Sequence, residues 1–198
     1  SDPMTKWDNR LYEYQKDTCD FIEEAGGRCL IGHDMGLGKT PISLVWAVSK
    51  PDIKKVLIVT QASVVHKWKR EIDTWTNWGS GIIAGYKARR PRAPVLICSY
   101  AVMTARFKEL EEIAWDLIIW DESHALKSNP RKVKRVAAAK KLKSKYMLAL
   151  SGTPFLSRPI ELYNVLDMLE PDRWNLWTYG SKYCGGMDHI DGPFKGAT

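Results

Sequence analysis

The chain has 198 residues, 44% of them hydrophobic, enough for one domain or at most two around a real core. Charged residues at 27%, together with nine tryptophans, exclude a disordered chain. A formal net charge of +7 fits an anionic partner, nucleic acid foremost, and fits a merely soluble basic surface equally well. No apolar run reaches about 18 residues and no signal peptide opens the chain, so no membrane role is expected and an intracellular location is. Cys19, Cys29, Cys98 and Cys184 form no C-x-x-C pair. Cys29 and Cys98 sit in apolar runs, which predicts inert buried thiols in a reducing compartment. Ser1-Asp2-Pro3 reads as the remnant of an expression tag, leaving residues 4–198 as one domain.

Leu11 to Glu24 carries apolar residues at Leu11, Tyr12, Tyr14, Phe21 and Ile22 and stops at Gly26-Gly27, which predicts a helix. Arg28 to Ile31 is a short apolar strand, and Ile42 to Val48 a buried helix. Val56 to Val59 is an unbroken apolar run, as expected of a strand covered on both faces. Ser63 is placed to cap a helix through about Trp75, with Val64, Val65, Trp68, Ile72 and Trp75 on one stripe. Ile82-Ile83 and Val95 to Cys98 predict two further strands, joined by the basic connection Lys87 to Arg92. A helix from Val102 to Glu112 leads to a strand at Leu117 to Trp120. A basic helix, Lys132 to Leu142, leads to another at Tyr146 to Leu150. Pro159 to Leu169 is amphipathic, and from Pro171 onward periodicity fades. Strands alternating with helices predict an α/β fold, a mostly parallel central sheet with helices on both faces.

The stretch from Gly32 to Thr40 joins the first strand to the second helix and ends Gly36-Leu37-Gly38-Lys39-Thr40. Strand, glycine turn, then Gly-Lys-Thr opening a helix is the layout of a phosphate-binding loop. Glycines let successive N–H groups curl toward one anion, and the helix start adds unpaired N–H groups and partial positive charge. Lys39 would reach the β- and γ-phosphates, and the Thr40 hydroxyl would ligate Mg²⁺. Pro41 does no harm, since the first helical turn has no N–H bond to lose. The full pattern G-x-x-x-x-G-K-[ST] is not met, because His33 stands at its first glycine. A surface loop with two glycines and a lysine remains the bland alternative.

Asp121-Glu122-Ser123-His124 ends the strand at 117–120, and Ser151-Gly152-Thr153-Pro154 ends the strand at 146–150. In a parallel sheet, ligands bind at the carboxyl ends of the strands, where all three turns fall. Asp121 is then the expected second Mg²⁺ anchor, and Glu122 is placed to take a proton from the attacking water. An ordinary strand-ending cap is the rival reading. His124 either couples the phosphate site to another element or is a hydrogen-bonded structural histidine. Ser151 and Thr153 offer hydroxyls beside Glu122, or form a simple turn.

Asp34-Met35-Gly36-Leu37-Gly38-Lys39-Thr40, Asp121-Glu122-Ser123-His124 and Ser151-Gly152-Thr153-Pro154 resemble motifs I, II and III of superfamily 2 helicase-like ATPases. The Met-Gly-Leu-Gly-Lys-Thr form resembles the Swi2/Snf2 group. Ser157-Arg158-Pro159 and Glu161-Leu162-Tyr163 further resemble its annealing-helicase, fork-remodelling branch. The resemblance implies a RecA-like P-loop NTPase lobe that binds ATP with Mg²⁺ through Asp34, Met35, Gly36, Leu37, Gly38, Lys39 and Thr40. It implies that Gln15, in Tyr14-Gln15, reads adenine, and that His124, Ser151, Gly152 and Thr153 couple the site to motion. Thr60 to Glu71, including Ser63, Lys67 and Trp68, and Ser99-Tyr100 would face the DNA backbone. Gln15 also fits a solvated helix residue, and Trp68 a core residue. Arg89 and Arg90, in the basic connection, are further candidates to touch phosphate. The family usually carries Asp where His33 stands and Pro where Gln61 stands.

Such motors have two RecA-like lobes, the second bringing arginines to the γ-phosphate. An arginine finger is worth on the order of 10³–10⁵ in rate. This monomeric lobe is therefore expected to bind nucleotide and hydrolyse it poorly alone. It would bind duplex or forked DNA through backbone contacts without reading sequence. A strand-separating helicase, a restriction-type motor subunit and a non-catalytic nucleotide-gated DNA-binding module are the alternatives.

Overall fold

The computed structural model describes residues 6–32, 38–126, 133–152 and 168–169. Helix α1 runs Glu13–Glu24 and is followed by strand β1, Arg28–Ile31, then helix α2, Lys39–Val48. Strand β2, Val56–Thr60, leads through a 3₁₀ turn at Ala62–Val64 into helix α3, Val65–Trp75. Strands β3, Ser80–Ile82, and β4, Val95–Ser99, precede two short helices, α4, Tyr100–Ala105, and α5, Phe107–Glu111. Strand β5, Trp115–Trp120, runs into a 3₁₀ turn at Ser123–Leu126. Helix α6, Val133–Lys141, and strand β6, Ser144–Leu150, complete the described elements.

The six strands form one sheet in the order β1-β6-β5-β2-β4-β3, and every pair is parallel. That is the α/β architecture the alternating apolar runs predict. β6 lies between β1 and β5, with Ile31 opposite Leu150 and Trp120 opposite Ala149. Because the three run the same way about 4.8 Å apart, the turns that leave them emerge side by side.

Successive strand residues point to opposite faces, and both faces are covered. Val56 and Ile58 join Trp46, Trp68 and Ile72 in one core, under α1, α2 and α3. Leu57 and Val59 join Met103, Leu110 and Ala139 in the other, under α4, α5 and α6. Each fully buried Leu or Ile contributes about 1.5–3 kcal/mol, so the sheet is anchored from both sides. Gly27 is required where it is: it has φ +76, and a Cβ there would overlap the Tyr146 and Trp46 rings. Those rings meet edge to face at 5.4 Å. The Arg28 guanidinium ties the remote 168–169 turn to the same end of the sheet, donating to Met168 O at 2.7 Å and Ser144 O at 2.8 Å.

Some elements differ from their sequence expectation, each for a local reason. α1 begins at Glu13, not Leu11, because the Gln15 Oε1 accepts the Tyr12 N–H at 2.8 Å and fixes Tyr12 as the cap. Ser63 does not cap α3; it lies inside the 3₁₀ turn, and the helix starts two residues later with no side-chain cap. The helix expected over 102–112 starts earlier and breaks at Arg106, whose φ of −114° and ψ of 18° leave the helical region. Its Nε donates to Glu109 at 3.0 Å across the break. The strand expected at 82–83 is Ser80–Ile82, although the Ile83 N–H still reaches Ile97 O at 2.8 Å. The amphipathic stretch 159–169 lies outside the described residues apart from Met168 and Leu169, both buried.

Cys19, Cys29 and Cys98 are free and buried. Burial pushes the Cys19 and Cys98 thiols up to about 12 and raises Cys29 further still. The thiolate is the reactive form, so at about pH 8 a thiol reagent should leave all three unlabelled in the native chain. Mapping labelled peptides before and after denaturation checks this, and native labelling of Cys29 would show that the sheet face is open.

Candidate active site

β1 ends at Ile31, and residues 33–37, holding His33, Asp34, Met35, Gly36 and Leu37, lie outside the described residues. The chain is described again at Gly38, which caps α2 with φ 109°, a left-handed value suited to glycine. A Cβ at Gly38 would also overlap the Gln15 amide nitrogen, so Gln15 lies directly against the end of the loop. Gln15 is buried, held by its bond to Tyr12; it is not a solvated helix residue.

Lys39 opens α2, and its ammonium donates to the Ser151 carbonyl at 3.1 Å. Burial lowers the Lys39 pKa below the ordinary lysine value, while the nearby Glu122 and Asp121 carboxylates oppose that shift. Thr40 follows in the first turn of the helix, half-buried. Ser151 continues β6 by donating its N–H to Ile31 O at 3.0 Å, which holds the third turn beside the first.

Asp121 prolongs β5 and donates its N–H to Val59 O at 2.8 Å. Its Oδ2 accepts from the Thr60 hydroxyl at 2.7 Å and the Trp68 indole at 2.8 Å. Its carbonyl accepts from the Tyr100 hydroxyl at 2.6 Å. Asp121 is only 8% exposed, so its carboxylate oxygen takes from these donors the hydrogen bonds that water would otherwise supply.

Glu122 has φ 49°, and is the one non-glycine residue with positive φ among those described. Such backbone costs on the order of 1–3 kcal/mol and persists where the surroundings over-determine it. Here it turns the chain so that both Glu122 carboxylate oxygens lie 3.6 Å from the position a Gly152 Cβ would take. His124 Nδ1 lies 3.2 Å from Glu122 Oε2, within ion-pair range, yet the pair is out of line for a hydrogen bond.

Lys39, Asp121, Glu122, Ser151 and Gly152 are thus gathered at one sheet edge, with Gln15 against Gly38. Thr153 lies outside the described residues. Three residues expected to face DNA do not. Thr60 is fully enclosed, Trp68 is 1% exposed and Tyr100 is 2% exposed, and all three side chains donate to Asp121. The Ser99 hydroxyl caps α4, accepting from the Val102 N–H at 3.1 Å. Ser63 and Lys67 are exposed. A cavity of about 300 Å³ is lined by Gln61, Ser99, His124 and Arg135 on the same edge. Arg89 and Arg90 sit elsewhere: with Lys55, Lys87 and Arg92 they line a basic hollow of about 760 Å³ next to the residues that lead into β2 and β4. Arg90 is paired there with Glu109 at 2.9 Å.

The role of Trp68 and Thr60 as partners of Asp121 is what the sequence reading missed. The register accounts for Thr60, since Val59 pairs with Trp120 and the next residue on β2 sits beside the next on β5, while Trp68 arrives from α3; neither is signalled in the sequence.

The chain also resembles known proteins in sequence and in fold. A family model described as the SNF2-related domain matches residues 14–180. The chain is similar to the SWI/SNF-related matrix-associated actin-dependent regulator of chromatin subfamily A-like protein 1 of Drosophila melanogaster, 34% identical over 190 residues, covering 93% of this chain and 25% of that protein. It is also similar to the human DNA annealing helicase and endonuclease ZRANB3, 30% identical over 186 residues, covering 88% of this chain and 17% of that protein. Among solved structures, the Sulfolobus solfataricus SWI2/SNF2 ATPase core in complex with dsDNA superposes with a TM-score of 0.70 at 28% identity, covering 82% of this chain and 36% of that one. The chain therefore spans about a quarter or less of these curated relatives.

Gly38→Ala forces a side chain into left-handed backbone and against Gln15. It should lower the unfolding free energy by about 2 kcal/mol, read from denaturant melts. A melt unchanged from wild type would mean that the loop end is free to relax.

Proposed function

The chain belongs to the SNF2-related domain family, and we propose that it is the ATP-binding lobe of a DNA-dependent ATPase that translocates on or remodels duplex DNA. The observation that carries the reading is the meeting of three turns. Lys39 reaches the carbonyl of Ser151, Gly152 lies against Glu122, and Asp121 follows directly on the central strand β5.

Each residue has a task in phosphoryl transfer. Lys39 holds the β- and γ-phosphates, exchanging the Ser151 carbonyl for phosphate oxygen. The N–H groups at the start of α2, a ten-residue helix, face the same anion. Gln15 hydrogen-bonds the adenine from behind Gly38. Glu122 takes the proton of the attacking water, and His124 sits close enough to orient it. Ser151 and Gly152 register whether the tail is occupied.

Magnesium suits the donors present. The Thr40 hydroxyl and the Asp121 carboxylate are hard oxygen ligands, the kind this ion prefers. Among the described residues no group of three or more His, Cys, Asp or Glu side chains could hold a metal unaided, so phosphate oxygens and water would complete the coordination. When bound, the ion neutralises charge on the transferring phosphate.

DNA is assigned to the edge where Ser63, Lys67, Ser99 and Arg135 lie, through backbone contacts. The relative solved with dsDNA shares this fold. A second RecA-like lobe would supply the arginines that complete hydrolysis. No helix among the described residues is long and apolar enough to cross a membrane.

Two substitutions test the reading. Lys39→Ala should abolish ATP binding by calorimetry, and unchanged affinity would remove the phosphate-loop assignment. Glu122→Gln in the two-lobed protein should retain ATP binding and lose DNA-stimulated turnover by at least about 100-fold. Normal turnover would dismiss Glu122 as the base.

A further inference from the structure

We propose that Thr60 and Trp68 are positioning residues that fix the Asp121 carboxylate in the orientation a magnesium ion requires. The inference rests on the nucleotide-site reading above and adds to it two residues that touch neither nucleotide nor metal.

A carboxylate on a short side chain turns readily, because its terminal torsion is broad and roughly two-fold. At Asp121 that freedom is removed. Two donors from different elements, the Thr60 hydroxyl on β2 and the Trp68 indole on α3, converge on the single oxygen Oδ2 at 2.7 and 2.8 Å. With Oδ2 taken, Oδ1 is the oxygen that would be offered to a cation. The Tyr100 hydroxyl holds the backbone of the same residue through its carbonyl at 2.6 Å, so the main chain is fixed as well.

Buried hydroxyl and indole groups need acceptors wherever they lie, and Asp121 could simply satisfy them. Convergence argues for more. Thr60 is fully enclosed and Trp68 is 1% exposed, and both surrender their donor to the one acid at this edge that follows β5 directly. In a nearly enclosed position a broken bond would leave a donor without a partner, so both bonds resist any turn of the carboxylate. Groups that orient a metal-binding carboxylate typically set metal affinity by 10–100-fold, roughly, when lost.

The test is calorimetry on the full chain with a slowly hydrolysed ATP analogue, once with excess MgCl₂ and once with EDTA. Variants are Thr60→Val, which keeps shape and removes the hydroxyl, Thr60→Ser, which restores it, and Trp68→Phe. A manganese titration followed by electron paramagnetic resonance reads the ion directly. Thr60→Val and Trp68→Phe should each cut the affinity gained from magnesium by roughly 10-fold. Both should leave the EDTA affinity unchanged, and Thr60→Ser should regain the wild-type gain. An equal loss with and without magnesium would show a packing role only and overturn the proposal. So would a magnesium gain that no variant moves. Wild-type chain that binds the analogue in neither condition would overturn the site reading itself, and the proposal with it.

Discussion

Everything at this site depends on one constraint: β6 is hydrogen-bonded between β1 and β5, and all three run the same way. Parallel strands must end at the same edge, so the end of β1, the Asp121-Glu122 turn and the Ser151-Gly152 turn are delivered as neighbours. Reversing β6, or exchanging its place with β2, would carry the Ser151 carbonyl away from Lys39. The chemistry is thus set by topology before any side chain is chosen.

The sheet can serve as a rigid frame because both its faces are buried. Large rings supply much of that burial: Trp46 and Trp68 on one side, Trp120 stacked near Tyr100 at 6.2 Å on the other. The same residues that hold the frame also reach the site. Trp68 packs in the core through its ring and uses its one N–H on Asp121. Tyr100 does likewise with its hydroxyl. Core and site are therefore one structure, in which packing on β2, α3 and α4 determines where the Asp121 carboxylate points. The left-handed turn at Glu122 is the local strain this arrangement holds in place.

Much of this was legible in the residues. Unbroken runs such as Val56-Leu57-Ile58-Val59 announce strands covered on both faces, and the apolar run after Gly-Lys-Thr announces helix α2. Helix starts were less legible, since α1 depends on a side chain, Gln15, folding back onto Tyr12, and α3 on a 3₁₀ turn that bypasses Ser63. The partners of Asp121 were least legible of all. Trp68 and Thr60 lie 53 and 61 residues away in the chain; strand register brings Thr60 to Asp121, and the packing of α3 on the sheet brings Trp68. Arg89 and Arg90 were read as candidates for touching phosphate because they are basic and in a loop. Their position beside Lys55, at the start of β2 rather than its end, follows from the route of that loop, which composition does not encode.

The most direct measurement is a crystal structure of the chain with a slowly hydrolysed ATP analogue and magnesium. The account predicts the triphosphate tail at the start of α2, with Lys39 turned from Ser151 to phosphate oxygen and the ion between Thr40 and Asp121. Nucleotide bound at another edge of the sheet, with Lys39 still on the Ser151 carbonyl, would contradict it.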